Sequence, residues 1–243
     1  MKKLSLLVCS LLIVLSGGFS PAQTPNASAD LTVIHQLLAS PKPVIWLFTG
    51  DSITQGAEWT GGSRPFSEIF SERIRWELRR PRDLVINTAI SGNKTTDLLN
   101  DFDWRVDLVR PNVVIIMFGM NDCRERKAGE AAFRDHLEEI VHRARSIGAI
   151  PVLQTTNTVL DRSRWNDIAA YNEITRQVAA KDNIILVDNW NYWLTHRTPE
   201  DLGQWMGNSI HPNDQGHAQI AGEIFRVLGI SDPASPMVKL AVP

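Results

Sequence analysis

Five short apolar runs recur along this chain, each ending at turn-forming residues and each followed by a longer amphipathic segment. They are Val44–Phe48, Leu84–Asn87, Val113–Phe118, Ile150–Leu153 and Ile184–Val187. Runs of this length, without polar alternation, predict strands buried on both faces. Between them, Phe66–Arg79, Thr95–Val109, Ala128–Ile147 and Trp165–Ala180 are predicted helices. In the first of these, Phe66, Ile69, Phe70, Ile74 and Leu78 follow helical spacing. A last helix is expected after Asn213 or Asp214, with Ile220, Ile224, Val227 and Leu228 on its core face and Gly229 closing it. Such alternation, with short connections, predicts an α/β fold with a parallel sheet covered on both sides. Right-handed crossovers leave few topologies, and the simplest is a flavodoxin-like, three-layer α/β/α sandwich with five parallel strands. The Trp-rich stretch holding Trp190, Trp193 and Trp205 reads as irregular. No repeat or linker divides the chain.

The ends differ from this pattern. Residues 1–29 resemble a secretory signal peptide: Lys2 and Lys3 precede the apolar core Leu4–Leu15, and small-residue sites follow. The second site, Ala27-Ser28-Ala29, would leave Asp30 as the first mature residue. Cys9 lacks a lipobox-like setting, so a lipid anchor is not expected. A secreted or periplasmic product follows, with one α/β domain over 30–230 and a tail over 231–243. Removing the two lysines of the leader from the 25 basic residues leaves 23 against 27 acidic ones, a net charge of −4. That balance offers no footprint for nucleic acid or an anionic membrane. Of the two cysteines only Cys123 remains, so no intramolecular disulfide is possible, and the fold must rest on its core.

Polar clusters follow the strand ends. Gly50-Asp51-Ser52-Ile53-Thr54 follows the first strand, Ser91-Gly92-Asn93 the second, and Gly119-Met120-Asn121-Asp122 the third. His211-Pro212-Asn213 precedes the last helix. In an open parallel sheet such groups converge on the carboxyl rim, where ligands bind. A hydroxyl, an imidazole and neutral amide donors are what acyl transfer requires.

These four motifs, in this order and on these elements, resemble the SGNH (GDSL) hydrolase superfamily over nearly the whole mature chain. The resemblance implies Ser52 as nucleophile and His211 as general base. It also implies an oxyanion hole from the backbone N–H groups of Ser52 and Gly92 and the side-chain amide of Asn121. A hydroxyl needs a neighbouring imidazole to accept its proton at neutral pH. Asn121 offers donors without charge.

One position departs from the family pattern. Three residues before the histidine the family places Asp; here it is Asn208. An Asn oxygen can accept the imidazole N–H but brings no charge, and a flipped amide favours the wrong tautomer. Three readings follow. Asn208 or a backbone carbonyl orients the ring; or Asp188, Glu200, Asp201 or Asp214 substitutes; or catalysis is impaired and the domain mainly binds its ligand.

Asp51 and Asp122 are expected to brace their turns, and His217 to be structural. His35, His136, His142 and His196 lack ligand spacing, and Asn100–Asp103 has too few ligands for a calcium loop, so no metal or cofactor is implied. Cys123 reads as a packed thiol. Trp46, Trp76 and Trp104 are expected in the core. Trp59, Trp190, Trp193 and Trp205, in loops near the rim, suit either sugar stacking or plugging the core. The expected activity is a serine esterase acting on small O-acyl esters, above all O-acetyl groups on carbohydrate. A lysophospholipase or arylesterase is the alternative within the enzyme class.

Overall fold

The computed structural model describes residues 27–56 and 58–241. In chain order the main elements are α1 (Ala27–Ala39), β1 (Ile45–Gly50), α2 (Ser52–Gln55), α3 (Phe66–Glu72), β2 (Leu84–Asn87), α4 (Thr95–Arg105) and β3 (Val113–Met117). Then come α5 (Arg126–Ser146), β4 (Ile150–Gln154), α6 (Trp165–Lys181), β5 (Ile185–Val187), α7 (Asn189–His196), α8 (Asp214–Val227) and α9 (Pro236–Lys239). The strands form one parallel sheet in the order β2-β1-β3-β4-β5. This is the flavodoxin-like order expected from the alternation. Helices α1, α3 and α8 lie on one face; α4, α5 and α6 lie on the other.

The interior strand β1 shows why the sheet needs two covers. Trp46 and Phe48 point toward α3 and α8, where Phe70 meets both rings edge-on at 5.2 Å and Phe48 also meets Phe66 at 5.6 Å. Each such buried aromatic contributes about 1.5–3 kcal/mol, and edge-to-face pairing adds roughly 0.5–1.5 kcal/mol. Thr49, one residue on, points to the opposite face and accepts from Arg105 of α4 at 3.2 Å.

Register then sets the rim. Gly50 of β1 lies opposite Met117 of β3. Beyond β2, the N–H of Ile90 donates to the carbonyl of Gly50 (3.1 Å), so the main chain stays paired past the strand's end. Ser52 and Gly119 therefore each lie two residues past an aligned pair, and Gly92 lies two past Ile90, at the one edge where β1 and β3 divide the chain's crossovers.

Several elements differ from expectation. Helix α1 was not anticipated; it overlaps residues 27–29 of the expected leader, whose other residues lie outside those described. Asp30 forks onto the Arg145 guanidinium (2.9 Å). The Trp-rich stretch is partly helical: Asp188 caps α7 by accepting from Asn191 N at 3.2 Å. After α3 the chain runs through a π-helical turn, Arg73–Glu77, in which Leu78 N donates to Arg73 O. The wider turn swings Trp76 off the apolar stripe, leaving it 63% exposed, while Arg73 turns inward to bond Ile230 O. Trp104 is likewise exposed, against expectation. Leu98, Phe102 and Arg105 hold the buried face of α4, and Trp104 sits about 200° around the helix from Phe102. The C-terminal residues fold back, with Ser235 and Met237 bonding Glu77. Among the described residues no helix is long and apolar enough to cross a membrane.

Candidate active site

The turn after β1 is built to expose Ser52. A Cβ at Gly50 would come within 2.5 Å of the Met117 carbonyl and would strike Thr54, so only glycine lets β1 lie this close to β3 there. Asp51 caps α2, its carboxylate accepting from Ile53 N at 3.0 Å. Ser52, the first residue of the helix, is half-buried, and its Oγ lies 2.9 Å from Nε2 of His211. An imidazole at that distance can accept the hydroxyl proton.

On the far side of Ser52, the turns after β2 and β3 are tied together. Gly92 has φ +81°, in the left-handed region that an L side chain adopts only with strain. Asn121 Nδ2 donates to the backbone carbonyl of Asn93 at 3.1 Å, which uses one of its two amide hydrogens. Asp122 holds its own turn by accepting from Gly119 N (3.1 Å), and holds the start of α4 by accepting from Thr95 N (2.9 Å) and Thr95 Oγ1 (2.7 Å). Beneath these turns lies Arg105, fully buried. Its guanidinium donates to Thr88 O (3.0 Å), Asn93 Oδ1 (2.8 Å), Thr49 Oγ1 (3.2 Å) and Gly50 O (3.3 Å). One side chain thus joins the turn that carries Ser52 to the turn that carries Gly92.

His211 is held differently, by a loop. Met206 and Pro212 form a two-residue antiparallel bridge, and Gly207 N donates to His211 O at 2.8 Å. Asn157 Nδ2 donates to Ile210 O (3.1 Å), and Leu160 N to Ser209 O (3.0 Å), fastening the loop to the chain beyond β4. Inside the loop, Asn208 Oδ1 accepts from Ile210 N (2.8 Å) and His211 N (2.7 Å). Those two donors fix the amide orientation, since a flipped NH₂ would face them. The imidazole Nδ1 then lies 3.2 Å from Asn208 Oδ1 and 3.1 Å from its Nδ2. A protonated Nδ1 can donate to the oxygen, leaving Nε2 free to accept from Ser52; the other tautomer accepts from Nδ2 instead. Asparagine supports both, where a carboxylate supports only the first.

Burial shapes the electrostatics beneath the rim. It pushes the Asp51 carboxyl up to about 7, outweighing the Ile53 hydrogen bond, with nearby Asp122 adding to the rise. Asp122 is raised by the same cause. Burial drives His217 down to about 3, with His211 contributing, so His217 stays a neutral acceptor for Phe66 N at 3.3 Å. Burial also raises the Cys123 thiol, which donates to Met120 O at 3.2 Å.

Comparison with known proteins gives the family of the chain. The model of the GDSL-like Lipase/Acylhydrolase family matches residues 48–219, from β1 into α8. The chain belongs to that family. By class it is therefore a carboxylic ester hydrolase. The lipoprotein YqeF of Bacillus subtilis (strain 168) is 25% identical over 173 residues, spanning 60% of this chain and 70% of YqeF. Among solved structures, LAE5, an α/β hydrolase enzyme from the metagenome of Lake Arreo, Spain, superposes with a TM-score of 0.66 at 22% identity, covering 78% of this chain and 96% of LAE5. Axe2, an acetylxylan esterase from Geobacillus stearothermophilus, gives 0.65 at 20% identity, covering 77% and 95%. At these identities the two structures speak for the fold alone.

The residues singled out in this GDSL-family chain fall into distinct places. Ser52, His211 and Asn208 form one hydrogen-bonded line, while Gly92 and Asn121 lie on the neighbouring turns. The other carboxylates have partners elsewhere: Asp188 pairs with Arg176 (2.7 Å), Glu200 with Arg162 (2.8 Å), and Asp201 accepts from Thr198 (2.8 Å). Asp214 opens the first turn of α8. Trp190, Trp193 and Trp205 are buried, with Trp193 and Trp205 packed edge-on at 5.1 Å, so none of the three is a sugar platform. Trp59 alone of the four is at the site, its indole stacked on the His211 ring. Sequence reasoning passed over Arg105 and Asn157, and gave Asn93 no part beyond its turn. Nothing in their local patterns marks them, because their partners lie 12 to 56 residues away.

Proposed function

We propose that this chain is a secreted or periplasmic serine esterase that removes small O-acyl groups, above all O-acetyl groups from carbohydrate. The observation that carries the reading is the 2.9 Å contact between Ser52 Oγ and His211 Nε2 at the carboxyl rim. Ser52 Oγ attacks the ester carbonyl carbon as its proton passes to Nε2. The carbonyl π pair moves to oxygen, where the N–H groups of Ser52 and Gly92 and the spare amide hydrogen of Asn121 receive the charge. Collapse breaks the bond to the alkoxy oxygen, which takes the proton from His211, and the acyl group stays on Ser52. Water then repeats the sequence, releasing the acid and restoring Ser52.

Support for acetyl over long acyl chains comes from the loop Thr60–Arg64, which is polar and glycine-rich where a lipase would carry an apolar lid. Axe2, named an acetylxylan esterase, shares the fold, and its catalytic variants replace a serine, an aspartate and a histidine. Export is supported by the signal-like residues 1–29 and by the lipoprotein name of the Bacillus relative.

The test is hydrolysis of p-nitrophenyl acetate by the protein beside Ser52→Ala, with fluorophosphonate labelling of both. The expected result is labelling of the parent alone and loss of hydrolysis in the variant. Specificity constants should fall from acetyl to octanoyl esters. A parent that takes no label yet binds acetylated oligosaccharide would make the domain a binding module instead.

A further inference from the structure

The base side of the site lacks a carboxylate at the position next to the histidine, yet one face of the imidazole is covered. The indole of Trp59 stacks on the His211 ring with centroids 5.1 Å apart and planes 14° from parallel. The approach depends on Gly207, one residue before Asn208. A Cβ there would stand 2.8 Å from the Trp59 carbonyl and 3.2 Å from its Cβ. The bridge between Met206 and Pro212 and the bond from Gly207 N to His211 O hold that glycine against the Trp59 turn. Indole and imidazole are thus brought together by two loops shaped to fit each other.

We infer that Trp59 is a positioning residue for His211, its π face stabilising the imidazolium that forms as Ser52 attacks and its plane setting the ring's. This inference rests on His211 acting as the general base. A cation within about 6 Å of an indole centroid is attracted by the ring quadrupole, most strongly where water is excluded. The attraction exists only while the ring is charged, so it favours the transition state over the resting imidazole. It also restricts ring rotation, which Asn208 alone does weakly because Nδ1 is nearly equidistant from its oxygen and nitrogen.

Three described residues near the ring bear on this effect. Asn208 is neutral. His217, on α8, is held uncharged by burial. Asp51, next to Ser52 in the chain, is raised toward neutrality by burial and by Asp122, so a rate profile alone would mix its titration with that of His211.

The experiment therefore reads the ring directly, by NMR titration of the His211 imidazole in the parent, Trp59→Phe and Trp59→Leu, together with kcat and KM on p-nitrophenyl acetate. Losing the indole removes stabilisation from the charged form, so the His211 pKa should fall by roughly half a unit to one unit in Trp59→Leu. In Trp59→Phe, whose face is also negative, it should fall less. Turnover in Trp59→Leu should drop about three- to thirtyfold with KM nearly unchanged, and Trp59→Phe should recover part of it. An unchanged His211 pKa in both variants overturns the inference, as does a change confined to KM, which would make Trp59 a substrate contact. A parent with no hydrolysis but with the pKa fall in Trp59→Leu would indict the esterase reading and leave the stacking role standing.

Discussion

The two halves of the site are fastened by different means. Ser52, Gly92 and Asn121 stand at the ends of β1, β2 and β3, where parallel register and the buried fork of Arg105 fix the main chain. His211 stands on a loop outside the sheet, held by the side chains of Asn208, Asn157 and Trp59. One half is positioned by backbone pairing that many sequences can satisfy. The other depends on a few particular side chains, and there the family's usual aspartate is missing. The nucleophile half should therefore lose activity when donors are removed, whereas the base half should admit improvement.

Beyond Ser52 itself, the largest loss is expected at Asn121. Its amide donates to Asn93 O and has one hydrogen to spare for a developing oxyanion. Asn121→Ala should lower kcat about 10²–10³-fold with little change in KM. Steady-state kinetics on p-nitrophenyl acetate measures this, and a loss below about threefold would remove the side chain from the oxyanion hole.

A second prediction concerns the foundation of the same half. Asp51 is pushed up to about 7 in the folded chain by burial, from an ordinary 3.8. Between those values the folded state binds more protons than the unfolded one, so this residue makes stability fall as pH rises, by at most about 1.4 kcal/mol per pH unit. Asp51→Asn keeps an oxygen for Ile53 N and cannot ionise. Urea unfolding at pH 5 and pH 8 should show the parent losing stability relative to Asp51→Asn at the higher pH. Parallel behaviour at both values would mean that Asp51 is ionised in the folded chain near pH 5. Asp122, also raised, is common to both proteins and cancels in the comparison.

What could be read before the structure follows the same division. Strand order, the rim and the Ser52, Gly92 and Asn121 positions were legible because apolar runs fix the strands and a parallel sheet gathers whatever follows them, while His211 was marked by its His-Pro-Asn motif ahead of the last helix. Arg105 was not legible: it sits on a helix face where the pattern calls for an apolar residue, and its partners come from two strand-end turns. Trp76 and Trp104 misled for the opposite reason, since a π turn and a two-residue offset moved them to solvent. Helix α7 was hidden by its three bulky aromatics, although Asp188 ahead of it is a sound N-cap. Trp59 lay in a glycine-rich loop whose only structural clue, Gly207, is far away in sequence.

The smallest expected effect is the one that sharpens the comparison most, because it is a gain. In Asn208→Asp, one carboxylate oxygen can keep the bonds from Ile210 N and His211 N. The other replaces Nδ2, which now stands 3.1 Å from the imidazole Nδ1. The replacement turns a possible donor into an acceptor, so only the Nδ1–H tautomer is supported and Nε2 is left to accept from Ser52. It also places a negative charge beside the imidazolium, raising the ring's pKa and moving the acid limb of kcat/KM to higher pH. Turnover should rise about tenfold with KM little changed, less than the full effect of such a carboxylate in serine proteases because Trp59 already favours the charged ring. The gain should be larger in Trp59→Leu than in the parent if indole and carboxylate stabilise the same species, a non-additivity that a double-mutant cycle measures. If instead Asp188, Glu200, Asp201 or Asp214 serves His211, Asn208→Asp sets a second anion beside the first. Turnover then stays flat or falls, and alanine at the true partner costs more than Asn208→Ala. The ion pairs of Asp188 with Arg176 and Glu200 with Arg162 argue that alanine at either leaves turnover within about twofold of the parent.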